Sequence, residues 1–393
     1  MNKKLNILLV SAAYRPYPSG VSEHVYHLAK NLHALGNEVT VLATNFPRFK
    51  NLQQNDQESF RVERVGRAIL LPLNRSYATL PIGLKLPGQV AEFLRRNQFD
   101  IVHCHGLFWP EISYWAINYS PAINLITFLT AGFKIHTAGR GLFKLIFRNQ
   151  IKKIHGRIAI SNRARMAIEP YLPGEYRIIP SGVDLNKFKP GLSPAITGQR
   201  EKTILFLGRL DRRKGIEVII QAMPEILKFH PNTRLVVAGE GPMKSAAMRL
   251  VKKLGLEQKV HFIGAVRADD RPGYYCRADV FCSPALGGET LGIVLLEAMA
   301  CGTPVVASDI PGYDETVAHL KDGILFPRGN TRKLAESIIR VLKDQHFTRQ
   351  LINNGLQKVK NYDWQLIAKR TLDYYYELLD KRCQLLGKFN ELI

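Results

Sequence analysis

The chain has 393 residues, of which 46% are hydrophobic and 22% are charged. This composition is typical of a globular protein and excludes an intrinsically disordered chain, and the length predicts two domains. The formal net charge of +22 indicates an acidic partner or substrate. No apolar stretch reaches the roughly 20 residues that a membrane-spanning helix requires.

The N-terminal stretch MNKKLNILLVSAAY has the basic start and the short apolar run of a signal peptide. However, Tyr14, Arg15 and two prolines follow where the small residues of a cleavage site are expected, so we interpret the run as a buried strand. Five cysteines without paired spacing are typical of reduced thiols. We therefore expect a cytoplasmic protein, with a peripheral position on the inner face of the membrane as a further option.

Strand and helix signals alternate from the start of the chain. NILLVSA (6–12) is an apolar run of strand length, and the segment 21–36 carries apolar residues at helical spacing before it ends at Gly36. Further strands are predicted at 38–44, 99–105, 123–128 and 156–161. This order predicts a parallel sheet covered by helices.

A second series of such elements begins at residue 203. TILFLGRL predicts a strand that leads into a turn, and the next helix contains Pro224, which should kink it or mark its first turn. Further strands are predicted at 234–241, 260–266, 279–285 and 304–309. The intervening segment 184–202 is rich in turn formers and is interpreted as a linker.

The chain is therefore predicted to be an α/β protein with two doubly wound, Rossmann-like domains. Residues 1–190 form the first and residues 191–362 the second, and the two face each other across a cleft. Such folds bind ligands at the carboxyl ends of their parallel strands.

The stretch LGGETLGIVLLEAMACGTPVVASD places a glycine-rich turn between a strand and an apolar helix. We expect the amides of Thr290, Leu291 and Gly292 at the start of that helix, where unpaired N–H groups and the helix dipole favour phosphate. Glu289 precedes the helix and Glu297 lies inside it, and their carboxylates can accept hydrogen bonds from hydroxyls. The spacing suits a sugar, a diphosphate and a ribose in line.

Two cations are candidates for the diphosphate. GRLDRRKG has Arg209 just past a strand end and Lys214 after the turn. Arginine grips phosphate through two N–H groups, and lysine supplies a compact charge. Alone, each would be interpreted as a solvated loop residue, and Glu297 as a structural carboxylate. The glycine–helix arrangement beside them favours a binding site.

Histidines and a long basic stretch mark the first half. His103 and His105 share one face of a strand end, a spacing compatible with a metal, but no third ligand is evident nearby. No acidic residue stands between Glu111 and Glu169. The cations there are Lys134, Arg140, Lys144, Arg148, Lys152, Lys153, Arg157, Arg163 and Arg165, interleaved with Phe133, Phe143 and Phe147. Such a stripe predicts a surface for lipid or nucleic-acid phosphates, and a solvated basic face without a partner is the alternative.

These motifs resemble a known family. Glu289-x7-Glu297, together with GRLDRRKG, IPSGVD, VVAGEGP, CGTPVVASD and DGILF in that order, closely resembles the retaining GT-B glycosyltransferases of family four. The long glycine-rich stretch and the late YDW are most similar to phosphatidylinositol mannosyltransferases and their relatives. The resemblance covers nearly the whole chain.

The resemblance implies roles for the candidate residues. Arg209 and Lys214 would bind the donor diphosphate and stabilise the charge that develops on it, with the amides at 290–292 beside them. Glu289 would hold hydroxyls of the donor sugar, and Glu297 those of the nucleotide ribose.

It also implies roles elsewhere in the chain. Val266 would present its backbone to the base, and Gly20 would bring the N-terminal loop close to the donor phosphates, an approach that a Cβ would hinder. His105 would border the acceptor side. The family works without a metal or other cofactor, and its last helix, here 363–393, crosses back to the N-terminal domain.

One position departs from the family. In LITFLTAG this chain has Leu129 where the family usually has a histidine beside the donor sugar. His136, in the loop that follows, is the candidate substitute. A donor-binding relative with weak or no activity is therefore kept as an alternative.

The expected function is transfer of a hexose, with retention, from a nucleotide diphosphate sugar to a hydroxyl. A lipid or glycolipid at an anionic membrane surface is the expected acceptor, and a soluble or polysaccharide acceptor is the alternative. A nucleotide-sugar epimerase would need acid and base groups that the sequence does not indicate. Nucleic acid is not an expected partner because no binding module is recognisable. The base, the sugar and the acceptor stay open.

Overall fold

The computed structural model of the protein describes residues 3–17, 19–46, 58–73, 76–83, 85–106, 111–130, 141, 145–191 and 201–390, with the side chains of 70–73, 76–82 and 385–390 excepted. The chain divides into two compact units. Unit 1 comprises Met1–Gly182 and Trp364–Ile393, and unit 2 comprises Val183–Asp363. The boundary between Gly182 and Val183 lies earlier in the chain than the predicted domain boundary between residues 190 and 191. The N–H of Val183 donates to the carbonyl of Tyr362 at 2.7 Å, which ties the start of unit 2 to its end.

Unit 1 is built on an eight-stranded sheet in the order β4-β3-β2-β1-β5-β6-β7-β8. Only the β3–β4 pair is antiparallel among these strands. The strands are β1 (Asn6–Ser11), β2 (Glu38–Asn45), β3 (Arg61–Leu73), β4 (Ser76–Ile82), β5 (Ile101–His105), β6 (Ile123–Phe128), β7 (Gly156–Ala159) and β8 (Arg177–Ile178). The described helices are α1 (Gly20–Ala34), α2 (Leu86–Arg96), α3 (Ile112–Tyr119), α4 (Arg148–Lys152), α5 (Asn162–Ile168) and, from the end of the chain, α12 (Trp364–Asn390).

The first strand and helix form for the reasons that the sequence suggested. β1 is buried along almost its whole length, as expected for a parallel strand covered on both faces. α1 begins after Ser19, whose side chain accepts a hydrogen bond from the N–H of Ser22 and so caps the helix. Its buried face includes Val25, Leu28 and Leu32 at helical spacing.

The last helix packs on unit 1. Trp364, Ile367 and Tyr375 of α12 share an apolar cluster with Ile7 of β1 and with residues of α1. The opposite face of the sheet is covered by α2, α3 and α4 through a second apolar cluster. None of the helices in the described part of the chain is long and apolar enough to cross a membrane.

Unit 2 is built on a six-stranded parallel sheet in the order β11-β10-β9-β12-β13-β14. Its strands are β9 (Lys202–Leu207), β10 (Thr233–Ala238), β11 (Val260–Gly264), β12 (Val280–Ser283), β13 (Val305–Asp309) and β14 (Ile324–Pro327). Its helices are α6 (Ile216–Phe229), α7 (Lys244–Lys253), α8 (Arg271–Arg277), α9 (Ile293–Ala300), α10 (Thr331–Lys343) and α11 (Gln345–Val359), with short 3₁₀ turns at Arg212–Lys214 and Lys360–Tyr362.

Pro224 lies well inside α6. The prediction that it marks the first turn of the helix is wrong, because α6 begins at Ile216 and continues past the proline to Phe229. The helix tolerates the missing N–H because its buried face, which includes Ile219, Met223 and Ile226, packs into the core of unit 2.

The strand order of unit 2 reverses between β9 and β12. The chain proceeds from β9 outward to β10 and β11, and then returns to β12 on the other side of β9. Loops that leave neighbouring parallel strands in opposite directions open a crevice at the carboxyl edge, and ligands bind there in open α/β sheets. In this chain the two strands end at Leu207 and Ser283.

The loop after β9 is held by hydrogen bonds and close packing against the end of β10 and the loop that follows it. The N–H of Gly208 donates to Ala238 at 3.0 Å, and the N–H of Leu210 donates to Glu240 at 2.9 Å. Gly239 has φ +150°, and a Cβ there would lie 1.9 Å from the carbonyl oxygen of Gly208. Only glycine therefore allows the loop after β10 to pack so closely on the loop that carries Arg209.

Candidate functional site

A lysine and a glutamate meet where β9 and β12 end. Lys214 closes the 3₁₀ turn after β9, and Glu289 lies in the loop after β12. The Nζ of Lys214 lies 2.8 Å from Oε1 of Glu289, and their side chains are only 20% and 13% exposed. An ammonium has three donors and a carboxylate several lone pairs, so the pair can bind an anion and a hydroxyl side by side. The structure thus brings together two of the predicted catalytic residues.

The loop between β12 and α9 carries the predicted amides. Thr290 and Leu291 immediately precede Gly292, which is the N-cap of α9, and the helix itself begins at Ile293. Gly292 has φ +72°, and a Cβ there would lie 2.7 Å from the ring of Tyr313. Tight packing on that ring holds the start of the helix at the carboxyl edge of the sheet.

Tyr313 packs against the loop between β12 and α9 and holds it in place. Its hydroxyl lies 2.7 Å from Oγ of Ser283 at the end of β12. Burial, followed by the charge of Glu289, raises the pKa of Tyr313 well above its usual value, so the phenol stays protonated. Thr316, which follows, donates a hydrogen bond to the carbonyl of Leu291. Sequence reasoning missed both residues, because neither stands at a spacing that relates it to the glycine-rich turn.

Glu297 is buried on α9, with 7% of its surface exposed. Its Oε2 accepts a hydrogen bond from the hydroxyl of Tyr275 at 2.8 Å, and its Oε1 lies 3.7 Å from Nη1 of Arg271. Burial, followed by the charge of Glu297, raises the pKa of Tyr275 well above its usual value. The two partners lie one turn apart on α8. Neither was predicted, because Tyr275 and Glu297 are 22 residues apart in the sequence.

The other predicted donor-side residues follow strand ends of the same sheet. Arg209 stands two residues after β9 and is partly buried, and its carbonyl accepts the N–H of Asp211 at 2.9 Å. Val266 follows β11, which is the edge strand, and is also partly buried. Both are at the carboxyl edge, and their contacts with a donor stay predictions.

A second ion pair braces the turn that carries Lys214. Arg213 pairs with Asp211 at 3.0 Å and also donates to the carbonyl of Gly288 at 3.4 Å. The carbonyl of Arg213 accepts the N–H of Leu286 at 2.6 Å. The contacts of Arg213 with Gly288 and Leu286 connect the loop after β9 to the loop after β12 next to the Lys214–Glu289 pair.

In unit 1, Gly20 is the first residue of α1. A Cβ at this position would meet no atom of the described residues within 4 Å, so packing among them does not require glycine here. That Gly20 allows the N-terminal loop to approach the donor phosphates stays a prediction.

Three histidines pack together under the carboxyl edge of the sheet of unit 1. His103 uses both ring nitrogens, one with Tyr375 and one with Thr127, each at 2.6 Å. His24 lies 2.8 Å from Oγ of Ser181 through Nδ1. Both ring nitrogens of His103 therefore have hydrogen-bond partners in the protein. Neither nitrogen is left to bind a metal, so the structure does not support a metal site at His103 and His105. Within the described ranges, no group of three or more His, Cys, Asp or Glu is placed to hold a metal.

His105 is a core group with 4% of its surface exposed. Its Nδ1 donates to the carbonyl of Val10 at 3.3 Å, which fixes the tautomer, since a carbonyl only accepts. Its Nε2 is buried without a hydrogen-bond partner among the described residues. A contact between this ring and an acceptor stays a prediction, and the burial indicates that His105 supports the strand end.

The basic segment of unit 1 is only partly described. Phe147 is buried in the core, where its ring contacts Tyr114, so the expectation that it lies on the basic surface is wrong. Burial of an aromatic ring stabilises the fold more than its exposure on a charged surface would. Leu145 and Ile146, which precede Phe147, are exposed instead, at 69% and 42%, and Arg148, which follows it, is also exposed. Phe133, Lys134, His136, Arg140, Phe143 and Lys144 lie outside the described residues.

Leu129 follows β6 directly and is partly buried. Nearer the antiparallel edge of the same sheet, a cavity of about 450 Å³ lies beside the N-terminus of α2. Among the described residues, Arg64, Arg67 and Lys85 contribute its charged lining, and Glu58 lies near enough to Arg64 to act on its charge. The guanidinium of Arg64 is anchored by the carbonyl of Arg15 at 2.7 Å.

Comparisons with known proteins agree with this architecture. The family described as Glycosyltransferase Family 4 matches residues 18–187, and the family described as Glycosyl transferases group 1 matches residues 195–358. The chain is 32% identical to the phosphatidyl-myo-inositol mannosyltransferase of Mycobacterium leprae over 91% of its length and 93% of that protein.

Two further likenesses extend the comparison. The alpha-monoglucosyldiacylglycerol synthase of Acholeplasma laidlawii is 27% identical, over 98% of this chain and all of that protein. The crystal structure of Anabaena HepE in complex with UDP superposes with a TM-score of 0.76 at 19% identity, covering 95% of this chain and 100% of that one. The second likeness shows the fold, which is GT-B, with two Rossmann-like α/β units.

The buried histidines predict a pH dependence of stability. Burial lowers the pKa of His105 from 6.5 to about 4. The unfolded chain therefore binds a proton that the folded chain does not as pH falls from about 6.5 to 4, and stability is lost across that window. We expect His105→Asn, whose amide can still donate to Val10, to remove about 3 kcal/mol of this loss, as measured by denaturant unfolding at several pH values.

Burial raises the pKa of Glu111 to about 8, so its titration changes stability with pH in the opposite direction to that of His105. Glu111 is present in both proteins, so the difference between the variant and the wild type reports the contribution of His105 alone. Equal pH slopes for the two proteins between pH 6.5 and 4 would contradict the assignment.

Proposed function

The chain belongs to the group 1 glycosyltransferases, and we propose that it moves a hexose, with retention and without a metal, from a nucleotide diphosphate sugar to a lipid hydroxyl. The Lys214–Glu289 pair is the observation that carries this proposal. A sugar nucleotide joins phosphate and sugar hydroxyls through one oxygen, so its two parts need a cation and a hydrogen-bond acceptor a few ångströms apart. The pair offers both at 2.8 Å, at the switch point of a parallel sheet.

The chemistry assigned to these residues is mainly electrostatic. As the bond from the anomeric carbon to the phosphate oxygen breaks, negative charge develops on the diphosphate, and Lys214 and Arg209 stabilise it. The acceptor oxygen forms the new bond on the same face, and its proton passes to the departing phosphate oxygen. Glu289 orients the sugar through its hydroxyls, and Glu297 binds the ribose.

The acceptor is proposed to be a lipid that carries a phosphate. Two relatives bear names that denote lipid acceptors, a phosphatidyl-myo-inositol in one and a diacylglycerol in the other. The cavity lined by Arg64, Arg67 and Lys85 supports the phosphate-bearing class, because the described residues of its lining carry three positive charges, which favour an anion.

Leu129 supports a second candidate, a donor-binding relative with weak or no activity. A leucine at that position has no donor or acceptor to offer the sugar. Binding of a nucleotide sugar without transfer to any acceptor would favour this candidate over the first.

The donor site is tested by thermal unfolding and by transfer assays. We expect GDP-mannose or UDP-glucose to stabilise the wild type by about 2.7 kcal/mol at a hundred times its Kd, with or without Mg²⁺. Lys214→Met should lower kcat by roughly a hundredfold or more, with phosphatidylinositol or diacylglycerol vesicles as acceptor, because one stabilising cation is lost. Lys252→Met, at an exposed lysine of α7, is the control.

The proposal fails if neither sugar nucleotide shifts the unfolding midpoint. It also fails if Lys214→Met transfers at the rate of the wild type. A higher rate with phosphatidylinositol than with diacylglycerol supports the phosphate-bearing acceptor, and the reverse contradicts it.

Binding to an anionic membrane surface is proposed for the face around α4. Leu145 and Ile146 are exposed apolar side chains beside Arg148, Lys152 and Lys153, a combination suited to the headgroup region of anionic lipid. We expect Leu145→Glu combined with Ile146→Glu to weaken binding to phosphatidylglycerol vesicles roughly tenfold or more, measured by co-sedimentation.

Met248→Glu, at a side chain of unit 2 that is 50% exposed, is the control for adding an acid at an apolar surface position. Unchanged vesicle binding of the double variant would show that this face does not contact lipid.

A further inference from the structure

The phenol of Tyr275 is held against Glu297. Its Oη donates to Oε2 of Glu297 at 2.8 Å, and both residues are buried. The carboxylate can only accept, so the direction of the bond is fixed. A hydrogen bond to a charged group in a buried place is one of the stronger kinds in proteins.

Tyr275 cannot easily move away from this position. Its ring makes edge-to-face contacts with Phe188 and Phe281, at centroid distances of 6.1 and 5.2 Å. Its backbone carbonyl accepts a hydrogen bond from Oγ1 of Thr303 at 2.7 Å. Because the ring and the backbone are both held, the phenol oxygen is a fixed point to which the carboxylate is attached.

The second carboxylate oxygen faces a different environment. Oε1 of Glu297 lies 3.7 Å from Nη1 of Arg271, whose side chain is 33% exposed. Arg271 precedes Tyr275 by one turn of α8, so the two side chains lie on the same face of that helix. Oε2 is thus directed into the core by the tyrosine, and Oε1 is directed toward the more exposed arginine.

We propose that Tyr275 is a positioning residue of the nucleotide site. By holding Oε2, it turns Oε1 of Glu297 toward the ribose hydroxyls of the donor, and it thereby sets the preference for ribonucleotides over 2′-deoxyribonucleotides. This inference rests on the proposed function, in which Glu297 binds the ribose.

The arrangement gives a specific expectation. Without the phenol, Oε2 is a buried acceptor that has lost its donor, and the carboxylate can rotate away from the orientation that the tyrosine fixes. Hydrogen bonds from both ribose hydroxyls then lose their geometry, whereas contacts with the diphosphate are unaffected. The loss should therefore fall on the ribose and be smaller for a nucleotide that lacks the 2′-hydroxyl.

Calorimetric titration tests this expectation. The probes are UDP and GDP, each compared with its 2′-deoxy form, and the proteins are the wild type, Tyr275→Phe and Tyr274→Phe. We expect Tyr275→Phe to bind the ribonucleotide roughly tenfold more weakly, with a much smaller change for the 2′-deoxy form. Tyr274→Phe, the same change at the neighbouring residue of α8, should keep the wild-type ratio.

A double-mutant cycle separates positioning from support of the fold. In a Glu297→Gln background, Tyr275→Phe should leave the ratio of ribo- to deoxyribonucleotide affinity unchanged, because the group that it positions is altered. An unchanged ratio in Tyr275→Phe alone, or an equal loss for both forms, overturns the inference. Failure of the wild type to bind either nucleotide would instead refute the proposed function.

Discussion

The ion pair between Lys214 and Glu289 depends on the order of strands in one parallel sheet. β9 and β12 are neighbours in that sheet although 72 residues of chain separate Leu207 from Val280. Because both strands run in the same direction, the loops that follow them begin at the same edge. The lysine of one loop and the glutamate of the other therefore meet at 2.8 Å, and the other donor-side assignments are made relative to that pair.

The loops that present this pair are held by packing rather than by their own conformational preference. Gly239 lets the loop after β10 press on the backbone of Gly208, and Gly292 lets the start of α9 rest on Tyr313. In each case a Cβ would overlap an atom of the supporting element. Rigid supports of this kind keep charged groups in place before a ligand arrives, which is what electrostatic stabilisation of a departing diphosphate requires.

The sequence indicated the parts of the fold that are governed by local pattern. Apolar runs located β1, β9 and β12, and helical periodicity located α1, because burial on a sheet or helix face leaves a mark of fixed period. The antiparallel pair of β3 and β4 was not predicted. Pro224 does not mark the first turn of α6, since tertiary packing tolerates a proline inside that helix. In the site, Glu289 and Glu297 could be recognised by their spacing along one loop and helix.

Other residues of the site could not be found in this way. Tyr275 and Tyr313 act through contacts with segments distant in sequence, and an aromatic residue in a buried helix or loop has no pattern that distinguishes support of a carboxylate from ordinary packing. The histidines of unit 1 illustrate the same limit. Their spacing in β5 is compatible with metal ligation, but Tyr375 and Thr127 occupy both nitrogens of His103, and only the fold brings these partners to it.

The most direct measurement is a crystal structure of the protein with a bound nucleotide diphosphate sugar. We expect the diphosphate to lie at the edge where β9 and β12 end, with an oxygen roughly 3 Å from Nζ of Lys214, and hydroxyls of the sugar to lie at a similar distance from Glu289. A nucleotide sugar bound elsewhere, with the Lys214–Glu289 pair in contact with neither its phosphates nor its sugar, would contradict the account.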